Sequence, residues 1–531
     1  MHDLASGDAA RRSKTLTASY FGGATLVALA FWLATGHSLQ ALPISVISIG
    51  GAAIVGWLAP RRPVTAFGII FVLASCTRLT LQLPIGAMRM EQPAIAAALV
   101  ALLISRRWPS RRAIRAALPV VGAFAIYLAV LTCSSILQAP DRADSIRMVT
   151  WTAVSMMGGL AGFCLLVGGA SNARAWFTMA GALEAAAGIA LALLFLILGP
   201  VIVQGADPAP GIQNAMSAMP KVYGYAWEAN LYASLLGAMV PFAIDAFRAR
   251  PAIRSGAMLA VVLLGFTLGT SRGAYLGLGA GVITYAVIVT WRSGSIRSIL
   301  APVALSSVLL LAGSTIFAGI MLPTGRPANA PVADRIAELL TTLSSSPGGI
   351  ASEPSPGPST STSTSPATSP SPSPSPSPSP SPSPSPLPPP LPPPPDTLAF
   401  RLDRIPTALH DLWNSPIIGL GANSFGQRHA DPSQQNGPDH LAIMAVAVLY
   451  ESGVVGALAL AFGFFALLWM LLRASADGTR RGQAAAYAAA IMSLLVAYQA
   501  TNAIHFATNW LIVGGALALA IGRSKDATET S

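Results

Sequence analysis

The chain has 531 residues, of which 53% are hydrophobic and only 10% charged, with a formal net charge of +11. Soluble proteins carry about 25% charged residues, so this balance excludes an ordinary soluble enzyme and predicts an all-α polytopic membrane protein. Most of its 32 Lys and Arg gather in short loops between apolar segments. That pattern fits a lipid bilayer as partner and does not require nucleic acid.

At roughly 20 apolar residues per span, fourteen candidate spans are predicted, near 18–35, 40–59, 64–84, 93–105, 116–137, 149–169, 176–203, 229–247, 256–270, 274–291, 299–321, 441–471, 484–505 and 507–522. Several are short, so the expectation is a bundle of about 12–14 transmembrane helices. With the N-terminus inside, 21 of the 32 basic residues fall in inner loops, which makes both termini cytoplasmic. The expected layout is a cytoplasmic N-terminus 1–17, helices over 18–321, one large extracytoplasmic loop 322–440, helices over 441–522 and a cytoplasmic tail 523–531. The N-terminus shows no short apolar run with a cleavage site, so no removable signal is expected. Cys76, Cys133 and Cys164 all lie in apolar segments and read as packed thiols.

The large loop contains a Ser/Pro-rich, disordered segment, 345–396, with nine consecutive Ser-Pro pairs from Ser369 to Pro386. Such a tract lacks donors for helix or sheet and is expected to extend by roughly 3 Å per residue. It reads as a dispensable spacer. Behind it, 398–414 carries Leu402, Ile405, Leu409, Leu412 and Trp413 at helical spacing, the stripe of an amphipathic helix on the outer membrane surface.

Ionisable residues within apolar spans are costly and so become candidates for function. Arg272, in Ser271-Arg-Gly-Ala-Tyr, lies eighteen residues above Arg254, about 27 Å at helical rise, near the outer edge of the hydrocarbon. Arg401 and Arg404 share one face of the loop helix. With Arg272, and more weakly Arg78, they could form a pocket for a diphosphate, because guanidinium pairs bidentately with phosphate oxygens. Lipid headgroup contact is the simpler use of the same residues. Glu228, at the outer start of a span, could orient a sugar or cap its helix. Glu184 reads as paired inside the bundle, Asp245 as interfacial, and His505 as a packed histidine at the outer end of its span. His410, His429 and His440 match no metal-binding spacing, and no metal or other cofactor is expected.

Four segments, in order, resemble the O-antigen ligase and O-antigen polymerase superfamily of bacterial membrane glycosyltransferases. They are Tyr225-Ala-Trp-Glu-Ala-Asn-Leu-Tyr-Ala, Ser271-Arg-Gly-Ala-Tyr-Leu-Gly-Leu, Arg401 with Pro416-Ile-Ile-Gly-Leu-Gly-Ala-Asn-Ser-Phe, and Glu451-Ser-Gly-Val-Val-Gly. The resemblance covers about residues 220–470 and implies a GT-C-like bundle. It further implies metal-independent, inverting transfer of a glycan from an undecaprenyl-diphosphate carrier to a glycan or lipid acceptor at the outer membrane face. By position it makes Arg272 and Arg401 donor-binding residues, Glu451 a site residue, and His440 the base that activates the acceptor. His440 stands eleven residues before Glu451 where family members have about nine, and Asp439 or His429 are the alternatives. The competing expectation is a multi-span transporter. Against that stand the lack of an internal repeat and the clustering of candidates at one membrane edge.

Overall fold

The computed structural model describes residues 41–77, 80–83, 86–198, 212–213, 221–224, 226, 228–269, 271–293, a few positions between 303 and 310, 401–429 and 441–522. The apolar segments form an all-α membrane protein. In chain order the helices are α1 (Ala41–Leu58), α2 (Pro63–Ser75), α3 (Glu91–Ile104), α4 (Arg111–Leu137), α5 (Arg142–Leu166), α6 (Arg174–Leu198), α7 (Ala229–Ala249), α8 (Ile253–Leu268), α9 (Arg272–Ser293), α10 (Arg404–Leu412), α11 (Ser424–Arg428), α12 (Met444–Ala474), α13 (Arg481–Ala497) and α14 (Ala507–Ile521). Six of the described helices, α4, α5, α6, α7, α9 and α12, are long and apolar enough to cross a membrane. A 3-10 turn at Ala170–Ala173 and two short antiparallel ribbons complete the described elements: β1 (Thr80–Leu83) with β2 (Gly86–Arg89), and β3 (Ile212–Gln213) with β4 (Lys221–Val222).

Most predicted spans recur within a few residues, with two corrections. The span expected over 64–84 ends at Ser75, and Thr80 to Arg89 form the first ribbon. The span expected over 484–505 stops at Ala497, and Tyr498 to Phe506 are an irregular loop. His505 therefore sits in a loop and not at a helix end. The predicted spans at 18–35 and most of 299–321 lie outside the described residues, as does the Ser-Pro tract.

Close helix approach is built on small residues, since hydrocarbon supplies no hydrophobic drive between helices. Gly273, Gly277 and Gly281 form one stripe of α9 against α13; a Cβ at Gly281 would lie 2.9 Å from the Ala489 carbonyl. Gly159 and Gly162 do the same on α5, where a Cβ would meet the carbonyls of Trp510 and Leu511 in α14 at 2.9 and 3.2 Å. Between these pairs lies an aromatic core. Phe177 stacks on Phe242 at 4.4 Å, and Phe71 and Tyr487 meet Phe177 edge-on.

Short connections make successive helices antiparallel, which sorts the loops between two ends. One end is rich in arginine: Arg61, Arg62, Arg106, Arg107, Arg111, Arg112, Arg248, Arg250, Arg473, Arg480 and Arg481 lie there. Asp245, expected at the interface, is instead buried at this end. Its carboxylate pairs with Arg174 at 2.8 Å and Arg248 at 3.2 Å and accepts from the Tyr285 hydroxyl at 3.1 Å. Cys164 is buried as expected, whereas Cys133 is exposed on α4.

Candidate functional site

The opposite end holds the candidate site, and the irregular loop 498–506 is its floor. Helix α13 ends at Ala497, and the polar run Gln499, Thr501, Asn502 turns the chain back towards α14. Two carbonyls and a hydroxyl of this loop engage charged residues from distant parts of the chain. Arg401 donates to the Ala500 carbonyl, Thr501 Oγ1 donates to Glu228 Oε1 at 2.8 Å, and Arg89 donates to the His505 carbonyl at 3.0 Å.

Arg272, Arg401 and Glu228 come together here. Arg272 is the first residue of α9, behind Ser271, whose hydroxyl accepts from the Ala274 amide at 3.4 Å. Gly273 lies against Ala500, where a Cβ would collide. Glu228 occupies the cap position of α7, but its carboxylate turns to Thr501 and makes no capping bond. Arg401 lies in the field of both Glu228 and Arg272. Burial lowers its guanidinium from the ordinary value, Glu228 opposes that, and the charge of Arg272 adds to it. Arg401 thus has one carboxylate and a second guanidinium near it, beside the positive end of a 22-residue helix. The balance suits a multiply charged anion. Arg404, half-buried, opens α10 directly behind Arg401.

Glu451 makes a different set of contacts. Helix α12 breaks at Gly453, which sits at φ +61°. The break leaves the amides of Val454 and Val455 without helical acceptors, and the segment 416–421 supplies them. Pro416 and Ile417 carbonyls accept from Val454 and Val455 at 2.9 and 3.1 Å, while Leu420 and Gly421 amides donate back to Tyr450 and Glu451 carbonyls at 2.8 and 3.0 Å. The Glu451 carboxylate accepts from the Asn423 amide at 3.0 Å, and Ser134 donates to the Glu451 carbonyl at 2.8 Å. Asn423 is held in the left-handed region at φ +57°, where Asn is tolerated. Its side chain reaches Asp144 of α5 at 2.6 Å. Through these bonds Glu451, a site residue by the resemblance, also fastens the loop to the bundle.

A third arrangement was not foreseen. Asp411, near the end of α10, faces His429 Nε2 at 2.6 Å and accepts from the Tyr450 hydroxyl at 3.0 Å. Burial raises the Asp411 carboxyl, but hydrogen bonds from His429 and Tyr450 and the positive charges of His429 and Arg428 outweigh it and hold the group below the usual carboxylate value. Phe425 lies against the imidazole at 4.7 Å. An imidazole oriented by a carboxylate is the arrangement of a general base. About 15 Å of chain along α10, at 1.5 Å per residue, separates Arg401 from Asp411.

His505 does not join this group. Its Nδ1 meets Thr152 Oγ1 at 2.6 Å, and its carbonyl accepts from Ser155 at 2.6 Å. Arg89 packs over the ring of Phe506 at 4.2 Å. His505 is therefore packed, as expected, although in a loop. Glu184 is buried on α6, close to Gly224 and Tyr232. Arg78 and His440 lie outside the described residues. Among the described residues no three His, Cys, Asp or Glu side chains converge as metal ligands would.

No model of a known protein family matches the chain, and no curated protein matches it significantly.

Proposed function

We propose that this protein transfers a glycan from an undecaprenyl-diphosphate-linked donor to a saccharide or lipid acceptor at the outer face of the cytoplasmic membrane. The observation that carries the reading is the convergence of Arg272, Arg401 and Glu228 around Ala500 and Thr501. Residues so far apart in sequence meet at the helix ends remote from the arginine-rich loops. The positive-inside rule makes that arginine-rich end cytoplasmic, which places the site and the 322–440 loop outside, within a bundle of 12–14 spans. From Arg272 to Arg292 is about 30 Å at helical rise, one hydrocarbon thickness, so the pocket lies at headgroup depth, where a lipid-linked diphosphate presents its charge.

The chemistry needs little beyond this. An acceptor hydroxyl oxygen attacks the anomeric carbon, the bond from that carbon to the diphosphate oxygen breaks, and the electron pair leaves with the diphosphate. Arg272 and Arg401, with Arg404 behind them, neutralise charge developing on the leaving group. The hydroxyl proton passes to a base, and direct displacement inverts the anomeric centre. His440 is the residue the family resemblance assigns to that step. His429 is the second candidate, supported by its bond to Asp411: with Nε2 facing the carboxylate, Nδ1 is left to take a proton.

Replacing Arg272, Arg401 and His440 singly by Ala tests the reading. Surface glycan should fall and undecaprenyl-linked precursor accumulate. Normal amounts of all three variants in the membrane, with both readouts unchanged, would end it. One observation favours a transporter instead: Glu91 is 2% exposed, and its Oε2 makes no hydrogen bond among the described residues. Buried membrane carboxylates of that kind often carry protons.

A further inference from the structure

The face of α10 divides into three sectors. Ala408 and Leu412 are buried against the bundle, and Asp403, Thr407 and His410 form an exposed polar sector. The third sector is apolar and equally open: Leu402, Leu409 and Trp413 are 45, 44 and 80% exposed, and Ile417 in the following turn is 64% exposed.

This apolar sector is continuous with the outer wall of α12. Ile417 is tied by its carbonyl to Val455, and Pro416 to Val454. Val454 opens an exposed stripe, Val454, Leu458, Phe462, Phe465 and Trp469, spaced by three or four residues as one face of a helix is. From Val454 to Arg473 the helix rises about 29 Å, which matches the hydrocarbon thickness of a bilayer. The break at Gly453 therefore marks the outer hydrocarbon edge; Ile417, bonded to Val455, lies level with it, and the exposed Trp413 precedes it by four residues. That is the depth at which Trp concentrates in membrane proteins.

We propose that the Leu402–Leu409–Trp413–Ile417 face docks on lipid at the boundary between headgroups and acyl chains of the outer leaflet. It seats α10 there, and with it Arg401 and Arg404. The occupant is lipid, because the surface it continues is the lipid-facing wall of a spanning helix. The inference rests on the membrane architecture and stands apart from the transfer reaction.

The test places single cysteines at Leu409, Trp413, Ile417 and, as control, Thr407, in full-length protein whose Cys76, Cys133 and Cys164 are replaced by Ala. Each carries an environment-sensitive fluorophore, and the protein is reconstituted in phosphatidylcholine vesicles. Probes at 409, 413 and 417 should emit at shorter wavelength than the probe at 407. They should be quenched by phosphatidylcholine bearing a nitroxide near the top of its acyl chain, and the 407 probe by aqueous iodide. Equal iodide quenching at all four sites would overturn the proposal. So would probes at 409, 413 and 417 shielded from both quenchers with cross-linking between copies, which would give the face to a second copy of the chain. Because no glycan enters the measurement, either result leaves the transferase reading untouched.

Discussion

Gly419 and Gly453 meet backbone to backbone: a Cβ built on Gly453 would lie 2.5 Å from the Gly419 nitrogen. Both residues also have positive φ, +80° and +61°. Contact and conformation thus require glycine twice over. Alanine at either should undo the fastening of 416–421 to α12, at a cost of about 1–3 kcal/mol from backbone strain alone. The thermal midpoint of purified Gly453→Ala in detergent should fall, and protease should cut between 413 and 429 sooner than in the parent.

Arg401 and Arg272 should differ in how they respond to conservative change. Arg401 spends one arm on the Ala500 carbonyl, so Lys there would keep charge but lose the second arm for phosphate. Arg401→Lys should retain more transfer than Arg401→Ala, with the alanine variants of both residues losing about 10²–10³-fold in kcat. Transfer from a purified lipid-linked donor in detergent is the measurement. Equal activity of Arg401→Ala and the parent would remove this residue from the donor site.

Glu228 is expected to position and not to exchange protons. Its Oε1 accepts from Thr501, and the amide oxygen of Gln can do the same. Glu228→Gln should therefore keep most of the activity, while Glu228→Ala loses it together with ordering of 498–506. A Gln variant as inactive as the Ala variant would show that the charge itself is required.

The Asp411 carboxyl gives the loop a pH dependence whose sign is fixed. Its folded value lies below the ordinary one, so its contribution to docking α10 on α12 is complete above roughly pH 4. It is lost as pH falls through the depressed folded value. The protection of α10 amides, taken relative to the intrinsic exchange rate at each pH, should fall in strong acid in the parent. In Asp411→Asn protection should already be low at neutral pH and change little with acid.

Deleting Ser369 to Pro386 should leave transfer near the parent level. Arg401 is held by Ala500, and 416–423 by Tyr450, Glu451, Val454 and Val455, all without the tract. Loss of activity in the deleted protein, present at normal amount, would give the tract a role.

Much of the helical frame was legible because apolar runs of spanning length have one economical solution in a bilayer. The exceptions are physical. Tyr498 to His505 reads as the end of a span, since Ala500, Ala503 and Ile504 keep it apolar, yet Gln499 bonds back to the Leu495 carbonyl and Thr501 reaches across to Glu228, and the helix stops at Ala497. Thr80 to Leu83 was misread likewise, the alternation of a strand being lost after the apolar helix α2. The convergence of Arg272 with Arg401 was anticipated from charge and depth. The Asp411–His429 pair was not, because its eighteen-residue separation carries no helical or strand period and depends on how 413–424 folds back.

The fastening of 416–421 to α12 has a consequence for how this protein can change. Its bonds run from carbonyl to amide, so what must persist at the exposed Ile417 is a path for the main chain and not a particular side chain, whereas Leu420 is also held by its buried side chain. Substitution at Ile417 is free to alter the lipid-facing surface, while Gly419, Gly421 and Gly453, all at positive φ, are bound to stay.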